Sequence, residues 1–103
     1  MPGLVRICGE AELPREGEAC EMLALGRPFC VARVDGQIAV LDGVCPHNEG
    51  PLGQGIVENG RVVCPWHAWA FDAKTGEAEH NAQERVQVYE AIIQDGELKI
   101  QLP

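Results

Sequence analysis

The chain has no apolar run approaching the roughly 20 residues that a membrane-crossing helix needs. Its first ten residues, MPGLVRICGE, have neither the basic segment nor the apolar core of a secretory signal. These absences predict a cytoplasmic protein with no membrane association. Basic residues are scarce: eight Lys and Arg stand against 16 Asp and Glu, for a formal charge of -8. Such a surface repels phosphate backbones, and eight scattered cations cannot line a basic groove, so nucleic acid is excluded as a partner. The acidity instead favours solubility and docking onto a basic protein surface. Neither a Gly-x-Gly-x-x-Gly dinucleotide fingerprint nor sustained 3.6-residue apolar periodicity is present.

At 103 residues, with 46% hydrophobic and 23% charged residues, the composition is that of an ordinary folded protein, and a second core would leave each half too small. The expected organisation is one domain over residues 1–103, and nothing demands more than a monomer. Short β-branched or aliphatic runs occur at residues 4–7, 29–34, 37–41, 61–63, 86–93 and 97–102. Three turn dipeptides, Asp35-Gly36, Asn59-Gly60 and Asp95-Gly96, tolerate the positive φ of two-residue hairpin turns. They predict an all-β, mostly antiparallel architecture. Residues 8–22, with five Glu and one Arg, read as an exposed acidic loop leading into a strand, with a short helical turn possible from Glu10.

Residues 42–76 interrupt the strand pattern with six glycines and with Pro46, Pro51 and Pro65, which is loop chemistry. Five cysteines in a chain without an export signal argue against a disulfide framework. Cys8, Cys20 and Cys30 lie among strand-like residues and read as small core hydrophobes. Cys45 and Cys64 differ, because each is followed closely by histidine in Cys45-Pro46-His47 and Cys64-Pro65-Trp66-His67. Sixteen residues separate the two pairs, and the Asn59-Gly60 turn between them would bring the pairs together. Two thiolates and two imidazoles suit either tetrahedral zinc or an iron–sulfur centre. Zinc modules of this composition usually pair Cys with Cys and His with His. A mixed pair in each loop suits a dinuclear cluster, in which one loop serves both irons.

This pattern resembles the Rieske [2Fe-2S] signature. The similarity extends to CPHNEGPLGQG in the first loop and VVCPWHAWAFDAKTGE in the second. The resemblance implies stacked antiparallel sheets carrying a two-loop cluster-binding subdomain within residues 42–76. It implies that Cys45 and Cys64 hold the buried iron, and His47 and His67 the outer iron. In high-potential relatives each loop carries a further Cys, and the two form a disulfide. Gly50 and Trp66 stand at those positions here. Trp69 and Phe71 stand where those relatives place Ser and Tyr hydroxyls, which implies a potential at the low end of the Rieske range. The stretch GEAEHNAQERV lacks the proline that covers the cluster in many relatives, leaving His80 and Asn81 as candidates for that cover. Trp66 and Trp69 could each face outward toward a partner or inward under the cluster, and alternation places Phe71 on the face of Trp69.

The resemblance implies a one-electron carrier rather than an enzyme. A Rieske oxygenase also needs a mononuclear iron held by two further histidines and a carboxylate, and only His80 remains. The expected donor is a separate flavin-dependent reductase, and the expected acceptor is a terminal oxygenase. The alternative is the small subunit of an NAD(P)H-dependent siroheme nitrite reductase, with its large subunit as partner. A zinc-bound or metal-free structural domain is the alternative of another class.

Overall fold

The computed structural model describes residues 3–45, 50–66, 69–79 and 81–102. Among the described residues, eleven strands form two antiparallel sheets. The larger contains β1 (Leu4–Gly9), β2 (Ala19–Ala24), β3 (Arg27–Val34), β4 (Gln37–Asp42), β10 (Val88–Gln94) and β11 (Glu97–Gln101), in the order β1-β11-β10-β4-β3-β2. The smaller runs β5 (Ile56–Glu58), β6 (Arg61–Val63), β7 (Ala70–Asp72), β8 (Glu77–Ala78) and β9 (Asn81–Arg85), in chain order.

Alternation along β3 explains how the sheets stack. Phe29 and Val31 point into a core shared with Ile7 and Cys8 of β1, Val40, Tyr89, Leu98 and Ile100, against which Cys20 and Met22 of β2 also pack. The two outermost strands of the large sheet thus meet over one core, and the sheet curls on itself. Cys30, Ala32 and Val34 point the other way, into a second core with Leu41, Leu52, Val62, Phe71 and the cysteines at 45 and 64. A strand buried on both faces reads as a continuous apolar run, as residues 29–34 do apart from Arg33.

All three expected hairpins form, with φ between 52° and 77° at both residues of each turn. A fourth, Leu25-Gly26, joins β2 to β3 with φ of 55° and 73°. The acidic stretch contains a 3-10 turn at Glu10–Glu12, and β2 begins inside it at Ala19. This loop is pinned to its neighbour. The Glu16 carboxylate accepts the N–H groups of Asp35 and Gly36 at 2.7 and 2.6 Å, and Arg33 Nε donates to the Pro14 carbonyl. The run at 86–93 is divided differently from expectation: β10 starts at Val88, while Val86 hydrogen-bonds Gly76 O and fills the second core.

Candidate metal centre

The first loop leaves β4 at Asp42 and folds back on itself. Leu52 N–H donates to Gly43 O at 3.0 Å, Cys45 N–H donates to Gly50 O at 2.9 Å, and Val44 bridges Pro51. The second loop leaves β6 at Val63 and is closed by Cys64 N–H donating to Trp69 O at 2.7 Å. The β5–β6 hairpin, turned at Asn59-Gly60, carries Cys64 back to the first loop. Its entry is so tight that a Cβ on Gly55 would stand 1.9 Å from Val63 O.

The two cysteines meet at the base of these loops. Cys45 and Cys64 are buried beside Leu52, Val62 and Phe71, neither is in a disulfide, and the two side chains lie within electrostatic reach of each other. Burial pushes the Cys64 thiol above its ordinary pKa. The Trp66 backbone N–H, directed at the sulfur, opposes that shift, and the Cys45 thiol reinforces it. Such a pair ionises when a metal supplies the compensating charge, with release of protons. The donor chemistry therefore fits a thiophilic metal. His47 and His67, the other two expected ligands, and His80, the candidate cover residue, lie outside the described residues. The side chain of Asn81 does also.

The two tryptophans divide between the alternatives left open by the sequence. Trp66 is 51% exposed, whereas Trp69 packs against the second core with its ring 6.4 Å from that of Phe71. Trp69 and Phe71 therefore share a face, as alternation requires.

At the root of the first loop lies a cluster that sequence reasoning missed. The hydroxyl of Tyr89 donates to Asp42 Oδ1 at 2.6 Å and accepts from Arg27 at 3.0 Å. The Arg27 guanidinium lies 4.9 Å from the ring centre of Phe29, which meets the Tyr89 ring edge-on at 5.4 Å. Burial, and then the Asp42 carboxylate, push the Tyr89 phenol up to about 12. The one available signal was that Tyr89 is the single tyrosine of the chain. Its partners come from strands distant in sequence.

A curled antiparallel sheet and a small five-stranded sheet, with two loops joining a buried thiol pair, define an all-β metal-binding domain. Residues 3–90 match the Rieske [2Fe-2S] domain family, and the chain belongs to that family, whose cofactor is a Rieske-type [2Fe-2S] cluster. The anthranilate 1,2-dioxygenase ferredoxin subunit of Burkholderia cepacia is 31% identical over 86 residues, covering 82% of this chain and 80% of that protein. Among solved structures, the ferredoxin of Sphingomonas yanoikuyae B1 superposes with a TM-score of 0.85 at 29% identity, covering 98% of this chain and 100% of that one. A Mycobacterium tuberculosis protein assigned as an NADH-dependent nitrite reductase small subunit shares the fold, with a TM-score of 0.85, 21% identity and coverage of 100% and 97%. Related domains also occur inside larger proteins. The chain spans 12% of cholesterol 7-desaturase nvd 1 from Ciona intestinalis, to which it is 43% identical over 58 residues.

Proposed function

We propose that this chain is a one-electron carrier of the Rieske ferredoxin type. In this reading it takes electrons from a flavin-dependent reductase, delivers them to a terminal oxygenase, and acts as a cytoplasmic monomer whose residues 1–103 form one domain. The observation that carries the reading is the buried Cys45–Cys64 pair at the base of two loops whose sequences each continue to a histidine. In this assignment Cys45 and Cys64 hold the inner iron, and His47 and His67 hold the outer iron. When bound, the cluster supplies a site that gains and loses one electron. The protein's part is to hold the sulfur ligands in a dry pocket, with the Trp66 N–H directed at the Cys64 sulfur. A cluster with all positions filled by protein has no place for substrate, so the role is transfer rather than catalysis.

Trp69 and Phe71 present aromatic rings where high-potential relatives place hydroxyls, and Gly50 and Trp66 exclude a loop disulfide. These substitutions support a potential near the low end of the Rieske range, about -150 mV. The ferredoxin reading is preferred to the nitrite reductase small subunit. Its support is 31% identity across most of a dioxygenase ferredoxin, whereas the nitrite reductase likeness extends to the fold alone.

The test is electron paramagnetic resonance of the dithionite-reduced protein, with its visible spectrum and a redox titration. A rhombic signal of low average g and a potential near that limit are expected. A colourless protein holding stoichiometric zinc would overturn the reading in favour of a structural domain. Cys64→Ala and His67→Ala are each expected to lose the cluster and its colour. Normal cluster absorption in either variant would sink the ligand assignment.

A further inference from the structure

We infer that the Arg27–Tyr89–Asp42 cluster is a positioning device for the first cluster loop, and that its hydrogen bonds set how long the metal centre survives. The inference rests on the assignment of Cys45 as a ligand. Asp42 is the last residue of β4, and only Gly43 and Val44 separate it from Cys45. Its backbone N–H donates to Gln87 O at 2.9 Å, and Gly43 N–H donates to Pro28 O at 3.2 Å. A Cβ on Gly43 would stand 2.7 Å from the Pro28 carbonyl carbon, so the chain leaves the sheet pressed against the start of β3. The side chain of Asp42 is then tied to the third strand of the corner, β10, through Tyr89.

The orientation of that tie is determined. A tyrosine hydroxyl has one proton. Because Arg27 donates to the phenol oxygen, that proton is directed to Asp42. Arg27 is itself placed by the faces of Phe29 and Tyr89, so the three polar groups span β3, β4 and β10 at the point where the loop departs. Tyr89 is 6% exposed, and loss of its hydroxyl would leave the Asp42 carboxylate without its 2.6 Å donor. Opening of the loop root exposes Cys45 and Cys64 to competing ligands, and the frequency of that opening follows its local free energy rather than the global one.

The experiment compares wild type, Tyr89→Phe, Asp42→Ala, Asp42→Asn and Leu98→Ala, each purified with its cluster. Visible absorbance is followed after addition of excess iron chelator at neutral pH. The melting temperature is recorded alongside, and the electron paramagnetic resonance line shape is recorded after reduction. Tyr89→Phe and Asp42→Ala are expected to lose absorbance about tenfold faster, the factor equivalent to about 1.4 kcal/mol of opening free energy. Asp42→Asn still accepts the phenol proton and is expected to behave as wild type in both rate and line shape. Leu98→Ala empties a core position at the opposite end of the sheet, where Leu98 pairs with Ile93. It is expected to lower the melting temperature without matching the faster loss.

The inference is overturned if Tyr89→Phe and Asp42→Ala lose the cluster no faster than Leu98→Ala, or if Asp42→Asn loses it as fast as Asp42→Ala. Should Tyr89→Phe fail to fold, the two Asp42 variants decide alone. Failure of the wild type to take up an iron–sulfur cluster would instead overturn the functional reading on which the inference rests.

Discussion

Five thiols occupy the chain, and their surroundings give them different work. Cys45 and Cys64 face each other across two loops, whereas Cys8, Cys20 and Cys30 pack among aliphatic and aromatic side chains. Cys30 is fully buried, and that burial, helped by the nearby Cys20 and Glu21, raises its pKa from 9.0 to about 12. The folded state therefore holds this proton more tightly than the unfolded chain does. The resulting stability is present below pH 9 and is lost as pH rises from 9 toward about 12. In urea titrations across that window, Cys30→Ala is expected to start less stable but to lose less stability with pH than wild type. Parallel slopes for the two proteins would contradict this account. Cys30 was legible in the sequence as a core residue because its neighbours are strand-forming. Its proximity to Cys20 was not, because that contact depends on the β2–β3 register.

Among the described residues, every non-glycine residue with positive φ lies in a hairpin turn. Asp35, Asn59 and Asp95 take the left-handed conformation, which their short polar side chains tolerate, and the sequence announces all three. Leu25 takes the same conformation, with φ of 55° and a side chain 63% exposed, and no polar group offsets the steric cost. That hairpin was illegible because leucine is not a turn residue. Here pairing of all of β2 with residues 27–32 of β3 outweighs the local penalty. Leu25→Asn should relieve roughly 1 kcal/mol and raise the melting temperature by about 4–8 °C, measured by circular dichroism. The entry to β5 works in the opposite sense. Any side chain at position 55 collides with the backbone of Val63, the residue before Cys64. Gly55→Ala should cost about 1–3 kcal/mol and lower the iron content of the purified protein, since relief requires the second loop to move from the first. Unchanged stability and iron content would show that the loop base yields more readily than this contact implies.

For the whole molecule the dominant property is its charge of -8. Like charges keep copies of the chain apart, and opposite charge on a partner accelerates encounter. In the proposed role, the rate of electron delivery from the reduced protein to its acceptor should fall as salt rises from about 50 to 200 mM, because screening shortens the reach of the acidic surface. Stopped-flow mixing at several ionic strengths checks this. A rate indifferent to salt would indicate docking through apolar contacts such as the exposed Trp66 ring.

Local chemistry by itself determined the strand-rich class and the hairpin turns at Asp35-Gly36, Asn59-Gly60 and Asp95-Gly96, and it singled out Cys45 and Cys64, which the fold brings together. Alternation, turn dipeptides and ligand spacing are properties of residues near one another in the chain. Local chemistry also placed Trp69 and Phe71 on one face. It could not say which tryptophan would lie inward, since both neighbour Cys64 and either could be buried. Tertiary structure decided that Trp69 packs inward and Trp66 outward, and that β2 begins inside the acidic stretch, where pairing with β3 overrides a loop-like composition. Only tertiary structure could assemble Arg27, Asp42 and Tyr89, because three strands separated by up to 62 residues must pair in register before one hydroxyl reaches both charges.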